Sequence, residues 1–314
     1  MPACGVLNPF NCYSIPAASW IGGSLQWIVG YTRPYFIAIK QPVEAMLSFM
    51  TSALNSTPPL ILIALIGALA WWAGGIRLTI GTVLTLFVIG FLGIWSESMT
   101  TLAIVLAAVA ICLIIGIPLG ILTAKSDRLF AIVRPILDGM QTIPAFVYLV
   151  PVVMLFGIGN VPGVIVTIIF SIPPVVRLTN LGIRQVPTEI VEAMLAFGAS
   201  PMQLLFKAQI PVARRTIMAG VNQTLMMALS MVVVASMIAV GGLGQIVLRG
   251  IGRLDMGIAT VGGIGIVLLA IALDRLTQAF AAPKPRSAVG LSAQSRRRFA
   301  WPRQEAALFK RSTS

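Results

Sequence analysis

Long apolar runs constrain this chain more than any other feature. Seven stretches are nearly free of charge: 60–73, 76–95, 99–124, 139–157, 161–181, 217–240 and 256–273. A helix that crosses a bilayer needs about 20 predominantly apolar residues, and most of these runs approach or exceed that length. Inside lipid the backbone must satisfy its own hydrogen bonds, and for runs this long the helix is the structure that does so. The expectation is an all-α, polytopic membrane protein with about seven transmembrane helices. Pro144 and Pro151 interrupt the fourth run, and Pro173 and Pro174 lie in the fifth. Those two spans are expected to be kinked and to sit inside a bundle, where neighbours re-satisfy the freed carbonyls.

Composition agrees. Hydrophobic residues make up 58% of the 314-residue chain and charged residues 10%, whereas soluble domains carry about 25% charged residues. Histidine is absent and only nine residues are acidic. General acid–base catalysis and zinc chemistry therefore lack their usual side chains, and neither a catalytic nor a metal-binding residue is expected. The net charge of +13 lies in loops and in the C-terminal tail, which points to membrane topology rather than to nucleic acid.

Loop charge gives the orientation. Arg77, then Lys125, Arg128 and Arg134, then Arg184, Lys207, Arg214 and Arg215 occupy alternate loops; the opposite loops hold Ser96-Glu97-Ser98, the neutral 158–162 turn, and Arg249 with Arg253. Eight positive charges against two place the first set in the cytoplasm. With seven spans the N-terminus lies outside and the C-terminus inside. Cys112 sits in an apolar run as a packing residue, and Cys4 and Cys12 are close enough in sequence to pair in an oxidising compartment. No basic n-region precedes a short apolar segment, so no cleavable signal peptide is expected.

Three regions follow. Residues 1–57 form an extracytoplasmic or interfacial segment. Its 33–55 part has Phe36, Ile39, Val43, Met46, Leu47, Met50 and Leu54 near helical spacing, which suits either a helix lying on the membrane or one capping the spans. Residues 58–280 hold the spans. Residues 281–314 carry eight Lys and Arg against Glu305 alone, the composition of a disordered cytoplasmic tail near anionic lipid.

One cytoplasmic stretch stands apart, residues 189–211, EIVEAMLAFGASPMQLLFKAQIP. Thr188 is placed as an N-cap, Glu189 and Glu192 suit the first turns, and Gly198 is placed as the C′ stop. Ser200, Pro201 and Gln203 then spell a capping box with proline at N1, and Pro211 is expected to end or redirect the second helix. A Gly-broken helical hairpin between spans, with Leu204, Leu205 and Phe206 offered to a partner, is suited to docking.

The hairpin resembles the EAA loop of ABC importer permeases: Glu-Ala-Ala, three residues, Gly, nine residues, Ile, one residue, Leu-Pro. Glu192, Ala193, Met194, Gly198, Ala208, Ile210 and Pro211 fall on those positions, with Met194, Ala208 and Ile210 departing from the pattern. In that family the loop forms coupling helices seated in a groove of the ATPase. The segments FGASPMQLLFKAQIP, IMAGVNQTLMMALSMVVVASMIAVGGLGQIVLRGIGRLDMGIATVGG and LDRLTQA, with Arg33-Pro34 and the 138–144 stretch DGMQTIP, are similar to the glycine betaine/proline betaine permeases of the quaternary-amine uptake group. The resemblance implies a type I importer permease in a bacterial inner membrane. It implies a homodimer with an ATP-binding-cassette ATPase subunit and an extracytoplasmic substrate-binding protein, supporting osmoprotection. No cofactor is expected in this chain. The sequence has no Walker A pattern, so ATP and Mg belong to the partner ATPase, and this chain is a transport subunit and not an enzyme. The implied coupling residues are Glu189, Glu192, Ala193, Gly198, Leu204, Leu205, Phe206 and Pro211.

In the sixth run Gln223, Met227, Ser230 and Met237 fall near one face, because seven residues rotate only about 20° past two turns. Such a stripe serves either a substrate path or helix packing, and Asn222 and Thr224 are further candidates. Gly241-Gly242-Leu243-Gly244-Gln245 reads as an outer turn that ends this span. No aromatic cage for a quaternary ammonium is legible, because the aromatic residues are scattered and Trp71, Trp72 and Trp95 lie at span ends. Other cargoes of type I importers, such as methionine or sulfonates, are the nearest alternative. A stand-alone secondary transporter would need ionisable groups at the span centres, which are essentially lacking.

Overall fold

A computed structural model of the chain describes residues 16–281. Cys4, Cys12 and the tail beyond Ala281 lie outside the described residues, and so do the expectations attached to them. The described elements are helical. The chain runs α1 (Ala17–Ser56), α2 (Pro59–Gly74), α3 (Ile76–Phe91), α4 (Trp95–Lys125), α5 (Asp127–Thr142), α6 (Ala145–Phe156) and α7 (Asn160–Arg184). It continues through α8 (Thr188–Ala196), α9 (Pro201–Leu204), α10 (Ile210–Ala235), α11 (Leu243–Gly252) and α12 (Met256–Ala281).

Among the described residues four helices are long and apolar enough to cross a membrane unaided: α4, α7, the continuous Pro201–Ile238 helix and α12. Two bent pairs raise the number to six if each is one span, and α3 is a shorter apolar helix. The fourth apolar run is not one kinked helix. It breaks at Ile143–Pro144, where α5 and α6 meet at 101°. Proline disfavours helical dihedrals at its predecessor, and Ile143 sits at φ −73°, ψ 127°. By itself the 12-residue α6 rises only about 18 Å, too short for a hydrocarbon core. By contrast α7 passes through Pro173 and Pro174 as one helix of 25 residues. Both prolines are buried within it.

Two loop assignments change. Ser96, Glu97 and Ser98 form the first turn of α4, with Glu97 at the favourable end of the helix dipole and Ser98 Oγ donating to the Ile94 carbonyl at 2.8 Å. The preceding turn is made by Gly93 at φ +72°. The 33–55 segment belongs to the longer α1, and it packs on the bundle. Leu47 is buried in the main core, Val43, Met46, Met50 and Leu54 pack against that core, and Phe36 meets Phe156 edge-on at 5.2 Å. The glycine-rich stretch is more than a turn, since Leu243 opens α11. Two backbone donors there are held by side chains of other helices: Gly241 N–H by Asn160 Oδ1 and Leu243 N–H by Thr101 Oγ1, both at 2.8 Å.

The centre of the bundle is the packing of α4 on α7 and of α7 on α10. Along α4 the buried face reads Ala103, Ala107, Cys112, Gly116 and Gly120, small residues about one turn apart. A Cβ on Gly116 would lie 2.5 Å from Val175 Cγ1. One on Gly120 would lie 2.8 Å from the Val176 carbonyl oxygen and 2.6 Å from Thr179 Cβ. Helix backbones approach this closely only where side chains are missing. Below the contact Asn180 Nδ2 donates to Thr123 Oγ1 at 3.1 Å, and Arg184 donates to the Thr123 carbonyl at 3.0 Å.

Loops assigned to one side by charge are gathered at one end. Arg184 pairs with Asp127 at 2.7 Å, joining the ends of α4, α5 and α7, while Arg214 donates to the Phe280 carbonyl at 3.0 Å, joining α10 and α12. At the opposite end Gly159 N–H donates to the Ile238 carbonyl at 3.3 Å.

The α4–α7 contact predicts an asymmetric response to added volume. Gly120→Val must displace backbone of α7, at a cost of about 1–3 kcal/mol for overpacking. Gly81→Val, where nothing lies within 4 Å of a new Cβ, should be nearly neutral. Thermal unfolding followed by fluorescence-detected size exclusion of the detergent-solubilised chain compares the two; equal melting points would contradict the close approach.

Candidate functional site: a capped hairpin and an exposed stripe

The hairpin at residues 188–211 is built largely from local signals. After α8, Gly198 adopts φ +75°. Its N–H donates to the Leu195 carbonyl at 2.9 Å, and the Ala199 N–H reaches back to the Met194 carbonyl at 3.0 Å. These are the two bonds of a Schellman motif, which needs a left-handed residue at C′ and so favours glycine. Two residues later Ser200 Oγ accepts from Gln203 N–H at 3.3 Å and Gln203 Oε1 accepts from Ser200 N–H at 2.9 Å, completing the capping box. Thr188 is not the N-cap: Pro187 occupies that position and Thr188 is the first helical residue, with no side-chain cap.

Pro211 neither ends nor redirects its helix. Residues Leu205–Gln209 widen into a π turn, with Ile210 N–H donating to the Leu205 carbonyl, and α10 continues with Pro211 in its first turn. The proline ring would strike the carbonyl four residues back in a regular α-helix. The wider turn takes up that strain, and π segments commonly serve as such insertions.

Burial divides the expected coupling residues in two. Glu189, Glu192, Ala193, Gly198, Phe206 and Pro211 are exposed. Leu204 is half-buried, and Leu205 is buried with Ile183, Ala213 and Ile217, so Leu205 fastens the hairpin to the bundle instead of facing outward. Ala208, which stands where the EAA pattern has isoleucine, is also buried. Outward apolar surface comes from residues not singled out in the sequence: Phe197 at 91% exposure and Met202 at 61% join Phe206 at 59%. Phe197 is the C-cap residue of α8, immediately before the αL glycine. Arg184 was read only as a topology charge. It anchors the base of the hairpin through Asp127 and the Thr123 carbonyl, with its guanidinium 5.2 Å from the Phe130 ring centre.

Gln223 and Ser230 on α10, seven residues apart, share one exposed face, and Met237, in the 3-10 turn Ser236–Ile238 that follows α10, is also exposed. Met227 is half-buried beside that face, its sulfur 3.9 Å from Gln141 Nε2 of α5. Asn222 does not share this setting. Its amide donates to Asp274 Oδ1 at 2.9 Å and accepts from Thr277 Oγ1 at 2.5 Å, locking α10 to α12. Thr224 is fully buried. A second polar link, Arg177 to Asp138 at 2.5 Å, ties α7 to α5.

Known proteins share this sequence and this architecture. Residues 116–283 match the family model described as binding-protein-dependent transport system inner membrane component. The glycine betaine/proline betaine transport system permease protein ProW of Escherichia coli (strain K12) is 58% identical over 274 residues, spanning 87% of this chain and 77% of the relative. The glycine betaine/carnitine transport permease protein GbuB of Listeria monocytogenes is 47% identical over 86% of this chain and 97% of its own length. The glycine betaine transport system permease protein OpuAB of Bacillus subtilis (strain 168) is 42% identical over 84% and 94%. Among solved structures, the inward-facing MetNI methionine ABC transporter superposes with a TM-score of 0.51 at 23% identity, over 58% of this chain and 93% of that one, a likeness of fold. With more than half of the chain matched by the family model and these identities across most of its length, the chain belongs to the inner membrane components of binding-protein-dependent transport systems.

Proposed function

We propose that this chain is the permease of an ATP-driven importer for glycine betaine, proline betaine or related quaternary-amine solutes. Two copies would form the pathway, with an ATPase subunit beneath each and a binding protein delivering solute from outside. The cargo reading is carried by the 58% identity to a glycine betaine/proline betaine permease across 87% of the chain. The likeness to the methionine transporter concerns the fold and does not favour that cargo.

The coupling reading rests on the hairpin. Its inner side is fastened by Leu205 and Ala208, and its outer side presents Phe197, Met202 and Phe206 with Glu189 and Glu192 at the edge. Exposed apolar side chains held on a rigid, capped turn suit insertion into a groove of a partner. When ATP binding closes the ATPases, the hairpins move with them and the dimer opens outward; hydrolysis returns it. The Gln223–Ser230 face lies free on the single chain, which suits the wall of a path completed by the second copy. The cytoplasmic placement follows from the excess of positive loop charge on the hairpin side, and the C-terminus shares that side.

The cognate binding protein, titrated calorimetrically, should bind glycine betaine or proline betaine and not methionine; tight methionine binding with none for betaines would overturn the cargo assignment. Gly198→Val should lower solute-stimulated ATP hydrolysis by the assembled transporter at least about tenfold while leaving membrane insertion unchanged, because a β-branched residue resists φ +75°. Gly198→Asn, which tolerates the αL region, should recover much of the rate. For topology, cysteine placed at Phe197 in a chain without its native cysteines should react with a membrane-impermeant maleimide in inside-out vesicles and stay unlabelled in right-side-out ones. The reverse pattern would invert the orientation.

A further inference from the structure

A cavity of about 460 Å³ opens between α3 and α12, at the end of the bundle that holds the coupling hairpin. Two guanidinium groups line it, Arg77 at the start of α3 and Arg275 near the end of α12. Neither has an ion-pair partner among the described residues. The acidic neighbour in sequence, Asp274, is held by Asn222 and by Gln278, so it does not neutralise Arg275. Thr82 also lines the cavity; its hydroxyl is buried and, like those of Thr179 and Thr224 elsewhere in the bundle, has no hydrogen-bond partner. Buried hydroxyls in native structures nearly always find one. Two exposed arginines with no ion-pair partner among the described residues, on the wall of one cavity, suit an anionic oxygen group.

The remaining surroundings identify the source of that anion. Leu78, Ile271 and Ala272 supply apolar wall within the cavity. Immediately outside it Ile76 and Ile80 are exposed, and Trp71 and Trp72, each 64% exposed, mark the adjoining end of α2. Exposed tryptophans at the end of an apolar helix lie at headgroup level. A free phosphate would need only the guanidiniums, whereas a phospholipid also uses the apolar slope that leads away from them. We infer that this cavity binds the headgroup of an anionic phospholipid, with the phosphate between Arg77 and Arg275 and the acyl chains along α3 and α12. This requires only that the chain spans the membrane. Which leaflet supplies the lipid rests on the orientation proposed above.

Native mass spectrometry of the detergent-purified transporter, after delipidation and titration with palmitoyl-oleoyl phosphatidylglycerol or the matching phosphatidylcholine, tests the site. Wild type should retain phosphatidylglycerol at least about tenfold more strongly than phosphatidylcholine. Arg77→Gln with Arg275→Gln should abolish the preference, and Arg77→Lys with Arg275→Lys should keep part of it. Arg249→Gln with Arg253→Gln removes the same charge from exposed residues at the other end of the bundle and should change nothing. Equal lipid preference in wild type and the Gln pair would overturn the inference, as would an equal loss in the Arg249/Arg253 pair. Displacement of the lipid by millimolar inorganic phosphate would also overturn it, showing a small-anion site instead. None of these readings depends on cargo, so failure here leaves the importer assignment standing.

Discussion

Close approach between helix backbones is the constraint on which the rest of this structure depends. Lipid is as apolar as leucine, so burying apolar side chains against one another gives membrane helices little reason to associate. Dispersion contacts and backbone proximity take over. Gly116 and Gly120 on α4 let α7 settle where Val175, Val176 and Thr179 fill the space that side chains would occupy. Once α7 is fixed, Asn180 and Arg184 meet Thr123, and Arg184 reaches Asp127 at the head of α5. The hairpin begins a few residues later. Its position is therefore set by contacts within the bundle and not by its own short helices, which are well below the length at which isolated helices are stable.

Polar groups within the apolar bundle are few, and each described one of consequence joins two elements. Asn222 connects α10 to Asp274 and Thr277 of α12, Arg177 connects α7 to Asp138 of α5, and Asn160 and Thr101 hold the backbone that leads into α11. Where water is excluded such bonds have few competitors, so they specify which helices are neighbours more than they add to stability. This is why Asn222, a sensible substrate-path candidate on sequence grounds, belongs to the framework. The open polar stripe is left to Gln223 and Ser230.

How much of this was legible in the sequence depended on the range of the interaction. Gly198 and the Ser200–Gln203 box are local devices, and both are formed as the sequence predicts. Apolar length identified α4, α7, α10 and α12 with small shifts at their ends. The misreadings came where one local rule competes with another. Pro144, expected as a kink within a span, separates two helices at 101°. Pro211, expected to end or redirect its helix, is instead absorbed by a π turn. A proline states that a hydrogen bond is missing; only the surrounding packing decides whether the chain bends, breaks or widens. Leu205 was invisible for a related reason, since a short helix has no period long enough to show which of three adjacent apolar residues points inward.

The π turn has a mechanical meaning. Because α9 flows into α10 without a break, the hairpin has no flexible joint on its downstream side. Upstream it leaves α7 by the three-residue link 185–187, in which Val186 is buried. The two helices it connects are themselves clasped, Gly182 against Ala213 and Gly220 against the Val175 backbone. A crank with play at either end would waste motion at its bearings. Under the coupling proposed above, the hairpin would move together with the α7–α10 pair to which it is joined, and the far end of that pair lies beside Met237.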